Sequence, residues 1–310
     1  MNIQICAHLP HGPSWTLGLL CSLLALSFTT FLGISRSKAC IFYTALHDSD
    51  PLCQALWQTK LDMRSQAVAE NIASWENFRD TWQGKKAYDL YEPDWNCHIQ
   101  TRVGRRHGDG GKFVCGNASY FQAKPCLVYS VGSNGDFSFE IDVKLRYGCE
   151  IHTFDPTGNT SLYRSLAKQA GVEFHSLGLS GTHGQMNNSV TNVTSPLLPF
   201  PDIAELLGHH QRHIDILKVD CEGCEYGAFP RVLEGIQQGK YTVGQIQIEL
   251  HGTNPGQLRH FFDACDSNDF FMFHKERNHW GCDGYRCIEF SFINKETAHM
   301  IHNATHCGDS

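Results

Sequence analysis

The chain has 310 residues, 41% of them apolar, and a formal charge of −7 from Lys+Arg 25 against Asp+Glu 32. That is enough chain and enough apolar side chain for a large packed core. The acidic balance and the lack of a basic stripe exclude a nucleic-acid surface, and no solenoid-type repeat is visible.

The first charged side chain is Arg36, and the stretch Leu17–Ile34 before it is 18 uncharged, mostly apolar residues. As a helix it would span about 27 Å, the short end of what crosses a bilayer. It reads as a signal-anchor. A cleaved signal peptide is the rival, with Gly33 and Ser35 as small residues near a cut. Arg36 and Lys38 follow the segment and would hold the body in the cytosol by the positive-inside rule. Cysteines and sequons point the other way. Of 14 Cys, 12 follow the segment, and N-x-Ser/Thr sequons stand at Asn117, Asn159, Asn187, Asn192 and Asn303. That cysteine density suits an oxidising compartment, so the body is expected in the secretory-pathway lumen (Golgi or ER) or outside the cell.

Residues 36–60 read as a short stem. Leu61, Val68, Ile72, Trp75, Phe78 and Trp82 then fall on helical spacing. The stretch "YEPDWNCHIQTRVGRRHGDGGKFVCG" is loop-like. From Cys126 strands and helices alternate: strand Leu127–Val131, helix Phe137–Arg146, strand Glu150–Phe154, helix Ser161–Ala170 and strand Val172–His175. Residues 178–200 read as a long polar loop. A helix Asp202–Gly208, strand Ile214–Val219, helix Phe229–Ile236, strand Val243–Leu250 and helix Gln257–Asp266 follow. Phe270–Lys275 and Cys287–Ile293 are late strands with no helix between them, which implies a hairpin at the sheet edge. The alternation predicts an α/β, Rossmann-like, seven-stranded, mostly parallel sheet with helices on both faces, behind an N-terminal transmembrane helix.

The turn "VGSNGD" after the first of these strands lacks the Lys of a Walker phosphate cradle and the full spacing of a dinucleotide loop. Gly132 and Gly135 leave backbone open to a ligand at the strand's carboxyl end. Strand two ends in "IHTFDPT", which sets Asp155 about twenty residues on, where a carboxylate accepts from ribose hydroxyls. A plain surface turn is the competing reading.

The block "DILKVDCEGCEYGAF" resembles the "IKIDVEGAE" signature of FkbM-type methyltransferases. With "YEPDWNC", "GDGGKFVCG", "CLVYSVGSNGDFSFE", "IHTFDPT", "QIQIELHG" and "RCIEFSFIN", in that order, residues 88–295 are similar to the related eukaryotic methyltransferase-like proteins. The resemblance implies a class I fold that binds S-adenosylmethionine (SAM), with Gly132, Ser133, Asn134 and Gly135 lining the cofactor and Asp155 on its ribose. It also implies Asp220 and Glu222 beside the methyl group. The chain then divides into a signal-anchor or signal peptide (1–35), a stem with an amphipathic helix (36–87) and a methyltransferase-like domain (88–310). Cys221 and Cys224 depart from the signature, which has small apolar residues there.

Methyl transfer to a hydroxyl needs an acceptor held in line and a base. Asp220 and Glu222 at strand four, and Glu249 and His251 at strand five, are the candidates, because ligands bind at the carboxyl ends of an open α/β sheet. The same four residues are of types that hold Mg, Mn or Zn, but no metal is assigned. The acceptor is expected to be a small molecule or a glycan, with membrane contact through residues 17–34. Cys221-x-x-Cys224 reads as ordinary residues of the motif, and disulfides are expected among Cys97, Cys115, Cys126, Cys149, Cys282, Cys287 and Cys307. "HHQRH" at His209–His213 reads as a solvated helix end. One alternative is a luminal glycosyltransferase, whose metal-holding Asp-x-Asp would have to be Asp48-Ser49-Asp50 in the stem. Another is a binding module that kept the fold without catalysis.

Overall fold

The computed structural model describes residues 51–78, 86–158, 160–188 and 192–306. The apolar stretch 17–34, the Asp48–Asp50 triplet, Trp82, Asn159 and Cys307 lie outside them. Among the described residues no helix is long and apolar enough to cross a membrane. Residues from Trp57 onward form one compact unit, distinct from Met1–Leu56.

Seven strands make the main sheet: β3 (Leu127–Val131), β4 (Glu150–Phe154), β5 (Glu173–His175), β9 (His213–Val219), β10 (Thr242–His251), β11 (Phe270–Arg277) and β12 (Cys287–Asn294). Their order is β11-β12-β10-β9-β3-β4-β5. β12 pairs antiparallel with both β10 and β11, while the remaining pairs are parallel. The expected late hairpin is therefore present, with its second strand inserted inside the edge strand. The chain reverses direction in strand order between β3 and β9, and ligands bind in the crevice at such a switch point.

Helices α3 (Ser138–Tyr147), α4 (Thr160–Ala170), α5 (Phe200–Leu206), α6 (Glu225–Gln237) and α7 (Pro255–Ser267) connect the strands. β3 is buried along its whole length, as a strand covered on both faces must be. The stem helix α1 (Pro51–Phe78) starts earlier than the periodicity predicts. Val68 is buried in the core, and Arg64 pairs with Asp266 of α7. A terminal helix α8 (Lys295–His306) follows β12 and has no counterpart in the sequence reading.

Two segments read as loops carry strands. β1 (Gln100–Val103) and β2 (Lys112–Cys115) form an antiparallel hairpin. β6 (Gly178–Leu179), β7 (Gly184–Asn188) and β8 (Val193–Leu198) form a small three-stranded sheet where a polar loop was expected. β7 reads Gly-Gln-Met-Asn-Asn and is mostly exposed, so it has no apolar alternation to signal a strand. The hairpin is docked by side chains of the main sheet. The Gln245 amide accepts from the Cys115 N–H at 2.8 Å and donates to its carbonyl at 2.7 Å. Ser291 donates to the Phe113 carbonyl at 3.0 Å. A short helix α2 (Ala118–Gln122) follows the hairpin, capped by the Asn117 side chain.

Disulfides link Cys97–Cys115, Cys126–Cys149 and Cys282–Cys287, all within the expected set. Cys221 and Cys224 are also bridged, so the reading of them as unpaired motif residues is corrected. Among the described residues Cys265 is free, and it is buried. The Cys126–Cys149 bridge ties the starts of β3 and β4 across a separation of 23 residues. Replacing both with serine is expected to lower the unfolding free energy by about 2–4 kcal/mol, read from urea denaturation.

Candidate active site at the carboxyl ends of the strands

A cavity of about 940 Å³ opens at the carboxyl ends of β3, β4, β9 and β10. Gly132, Ser133, Asn134, Asp155, Asp220, Glu222, Glu249 and His251 all line it. Of the residues expected there, Gly135 does not. A Cβ at Gly135 would meet the Tyr163 ring at 2.8 Å, so this glycine makes room for α4.

The β3–α3 turn is built from positive-φ residues: Gly132 at 78°, Asn134 at 47° and Gly135 at 77°. Gly132 has a second reason to lack a side chain. A Cβ there would lie 1.7 Å from the Asp220 carbonyl oxygen, so the close approach is to the chain's own backbone at the end of β9. The Lys218 ammonium donates to the Gly132 carbonyl, which fastens the two strand ends together.

Asp155 sits just past β4, as the resemblance requires, but its carboxylate is heavily used within the protein. One oxygen accepts from the Ser133 N–H (2.9 Å), the Asn134 N–H (2.7 Å) and the Ser133 hydroxyl (3.2 Å). The other accepts from the Thr157 N–H (2.8 Å) and hydroxyl (2.6 Å). Burial works to raise its carboxyl, but the bonds from Thr157, Ser133 and Asn134 win and hold it below the usual carboxylate range. Asp155 therefore first shapes the loop, and any ribose contact is added to that role.

The opposite wall is acidic. Lys112, delivered by β2 and almost wholly buried, lies 3.1 Å from Asp220 and 3.6 Å from Glu249, and it also pairs with Glu289. Glu249 and Glu289 face each other directly across the β10–β12 pairing. Two like charges so placed repel, and the ammonium between them offsets this. Burial presses the Lys112 ammonium toward neutrality, but Glu289, Asp220 and Glu249 together raise it above its ordinary value. Burial also opposes the Asp220 charge, yet Lys112 and then Lys218 hold that carboxyl at about 2. Burial, and then the Asp220 charge, raise Glu249. Burial raises Glu289 well above the usual range. Asn278 donates to Glu249 at 2.9 Å and to Asp109 at 3.1 Å.

His251 closes the cluster. Its Nδ1 lies 2.8 Å from buried Glu225, and its Nε2 lies 3.3 Å from Glu222, whose carboxylate is otherwise exposed. Burial opposes its charge, but Glu225, then Glu249 and Glu222, raise it to about 9. Glu222 adopts φ 55° inside the Cys221–Cys224 ring, and both sulfur-bearing residues line the cavity.

Sequence reasoning missed Lys112, Glu289 and Asn278. Glu289 carried a signal, as a charge in the middle of the apolar strand "RCIEFSFIN". Such a residue is rarely buried without a partner. Lys112 carried none, because β2 is too short to show a pattern.

The cavity suits SAM by chemistry and by size. Pro156, Leu179 and Met186 give apolar wall on the Asp155 side, and Asp220 and Glu222 give negative charge where a sulfonium and an ammonium need it. Asp220, Glu222 and His251 lie close enough together to share a metal ion, though Asp220 also pairs with Lys112.

Two outcomes follow for the site. Asp155→Asn puts an amide N–H₂ against loop N–H donors, so SAM affinity in a calorimetric titration should fall at least ~10-fold, with the fold retained by circular dichroism. An NMR titration of His251 should give a midpoint near 9, lowered by Glu222→Gln. Because that value lies above the ordinary one of ~6.5, the ion pairs stabilise fully below pH ~6.5. Their contribution is lost as pH rises through about 9.

A family model described as "Methyltransferase domain" matches residues 37–294. The human protein named "Probable methyltransferase-like protein 24" is 24% identical over 175 residues, which cover 52% of this chain and 45% of the relative. Its Rattus norvegicus counterpart is 27% identical over 143 residues, covering 46% and 37% respectively. This chain thus spans under half the length of these curated relatives in the matched region. Among solved structures, the Burkholderia thailandensis 1,6-didemethyltoxoflavin-N1-methyltransferase, solved with S-adenosylhomocysteine bound, is similar at 12% identity and TM-score 0.34. It covers 57% of this chain and 74% of that one. Strand order, rather than that overlap, defines the fold. With the family model covering most of its length, the chain belongs to the methyltransferase-domain family, whose methyl donor is S-adenosylmethionine.

Proposed function

We propose that this protein transfers a methyl group from SAM to a hydroxyl of a small molecule or glycan. The supporting observation is the two-sided cavity, with the Asp155-braced loop on one wall and Asp220 and Glu249, backed by the buried Lys112, on the other. Its volume of about 940 Å³ leaves room for an acceptor beside a cofactor. Bound there, SAM supplies an electrophilic methyl carbon.

The roles divide by charge. Asp220, held at about 2 by Lys112, is a poor proton acceptor at neutral pH, so the strand-four base of the sequence reading is reassigned. Its carboxylate instead keeps a fixed negative charge at the junction of the two half-sites. Glu249, raised by burial and by Asp220, is the better proton acceptor of the two. Asn278 and Lys112 orient it, so that the acceptor's proton passes to Glu249 as its oxygen gains the methyl group. His251, held as an imidazolium by Glu225 and Glu222, adds a positive charge beside the acceptor's half of the cavity.

The net charge of −7 and the lack of a basic stripe support a small-molecule or glycan acceptor over a nucleic acid. We also place the body in the secretory lumen or outside the cell, anchored through residues 17–34. Four disulfides among the described residues and exposed sequon positions at Asn187 and Asn192 support this.

The test is transfer of labelled methyl from SAM to a panel of glycans and hydroxylated small molecules by the full chain. On an acceptor so found, Glu249→Gln should lower kcat by at least ~10²-fold while SAM affinity stays within about threefold. The wild-type rate should fall with acidification as Glu249 is protonated, and the fall should begin at higher pH than for an ordinary glutamate. A Glu249→Gln protein that turns over normally would remove Glu249 from the role of base.

A further inference from the structure

A second cluster lies on the other end of the sheet, and none of its residues lines the cavity. Glu150 and His152 stand on β4, the first at its start, and His209 follows α5 in the turn before β9. The Cys126–Cys149 bridge and the Glu150 N–H bonded to the Cys126 carbonyl at 2.8 Å fix the start of β4. His209 packs against Tyr129 of β3, with ring centroids 5.7 Å apart, and so reaches the face that His152 presents. It is 7% exposed, so it is not part of the solvated helix end that "HHQRH" suggested, and His152 is 4% exposed.

Three atoms converge. His152 Nε2 lies 3.0 Å from Glu150 Oε1, and His209 Nε2 lies 3.4 Å from the same oxygen. All three ligand atoms are within 4.8 Å of one another. Ligands about 2.0–2.1 Å from a tetrahedral zinc ion sit about 3.3–3.4 Å apart, so small side-chain shifts bring these into range.

The second observation is what holds the far side of each group. His209 Nδ1 is 2.7 Å from the Tyr129 hydroxyl. His152 Nδ1 is 2.9 Å from His175 Nε2. The other Glu150 oxygen accepts from Arg212 at 2.9 Å. Metal-ligating imidazoles characteristically give their remaining nitrogen to such an outer partner, which fixes the ring and its tautomer. In the tautomer that donates Nδ1–H to Tyr129 and to His175, the two Nε2 atoms are left to an ion in the gap beside Glu150.

We propose that Glu150, His152 and His209 form a binding site for a divalent transition ion, zinc by ligand type, separate from the methyl-transfer cavity. Two imidazoles and a carboxylate suit zinc among first-row ions, with water completing the sphere on the solvent side of Glu150. Arg212 also brings a positive charge close, which weakens the site but leaves its geometry in place. The opposite side of His152 is the poorer choice. There the His152–His175 contact consumes a nitrogen of each ring, and the Glu173 carboxylate lies 3.8 Å off and largely in water. A bound ion would tie β4 to the turn before β9, at the end of the sheet away from the cofactor.

The test is calorimetric titration of zinc chloride into the full chain after chelator treatment, with cobalt(II) absorbance as a second readout. One equivalent should bind, and cobalt should give the strong visible bands of a low-coordinate nitrogen–oxygen site. Glu150→Gln and His209→Gln should each weaken zinc at least tenfold, while Glu222→Gln, in the cavity cluster, should leave it unchanged. Glu150 is exposed, so its variant folds without the ion and decides the matter should His209→Gln fail to fold. No zinc uptake by the wild type, or zinc binding that survives in Glu150→Gln and is lost in Glu222→Gln, would overturn the proposal.

Discussion

The contact on which the site depends is Lys112 buried among Asp220, Glu249 and Glu289. β10 and β12 place two glutamates directly opposite each other in the sheet interior, an arrangement that repels unless a proton or a cation intervenes. The cation comes from β2, outside the sheet. Docking of the β1–β2 hairpin, tolerance of the paired glutamates and the charge on Asp220 are therefore one problem with one solution. Removing Lys112 would leave buried carboxylates uncompensated, which costs far more than an exposed ion pair is worth. It also explains why β10 carries Gln245, Gln247 and Glu249 on a buried face. Gln245 holds the hairpin that supplies the lysine.

The other wall follows the same logic with backbone in place of charge. Gly132 is a glycine because the Asp220 carbonyl needs the space, and the loop N–H groups are gathered by Asp155. The end of β9 thus touches both half-sites, through its backbone on the loop side and through its carboxylate on the acidic side. A shift at Asp220 moves both walls together. That coupling gives the residue a structural weight beyond any single chemical role.

Much of this was legible in the sequence because the sheet is buried on both faces. β3 and β4 fall on the predicted bounds, since short apolar runs closed by turn residues leave little choice. The candidate residues at four strand ends converge because a parallel sheet gathers its carboxyl ends. The misses have local causes. α6 begins at Glu225, before the expected Phe229, because Pro230 lies inside it and not in its first turn. β7 lacks alternation, and β2 is too short to show any. The polar face of β10 reads as solvent-facing until the hairpin that covers it is known. The Cys221–Cys224 bridge could not be read from spacing, which serves thiol, metal and disulfide alike.

The central claim is that this cavity is a SAM site, and direct calorimetric binding by the full wild-type chain tests it without an acceptor. SAM and S-adenosylhomocysteine should each bind with one-to-one stoichiometry, and a nucleotide sugar should give no heat above dilution. Binding of the nucleotide sugar in their place, or of none of the three, would contradict the account.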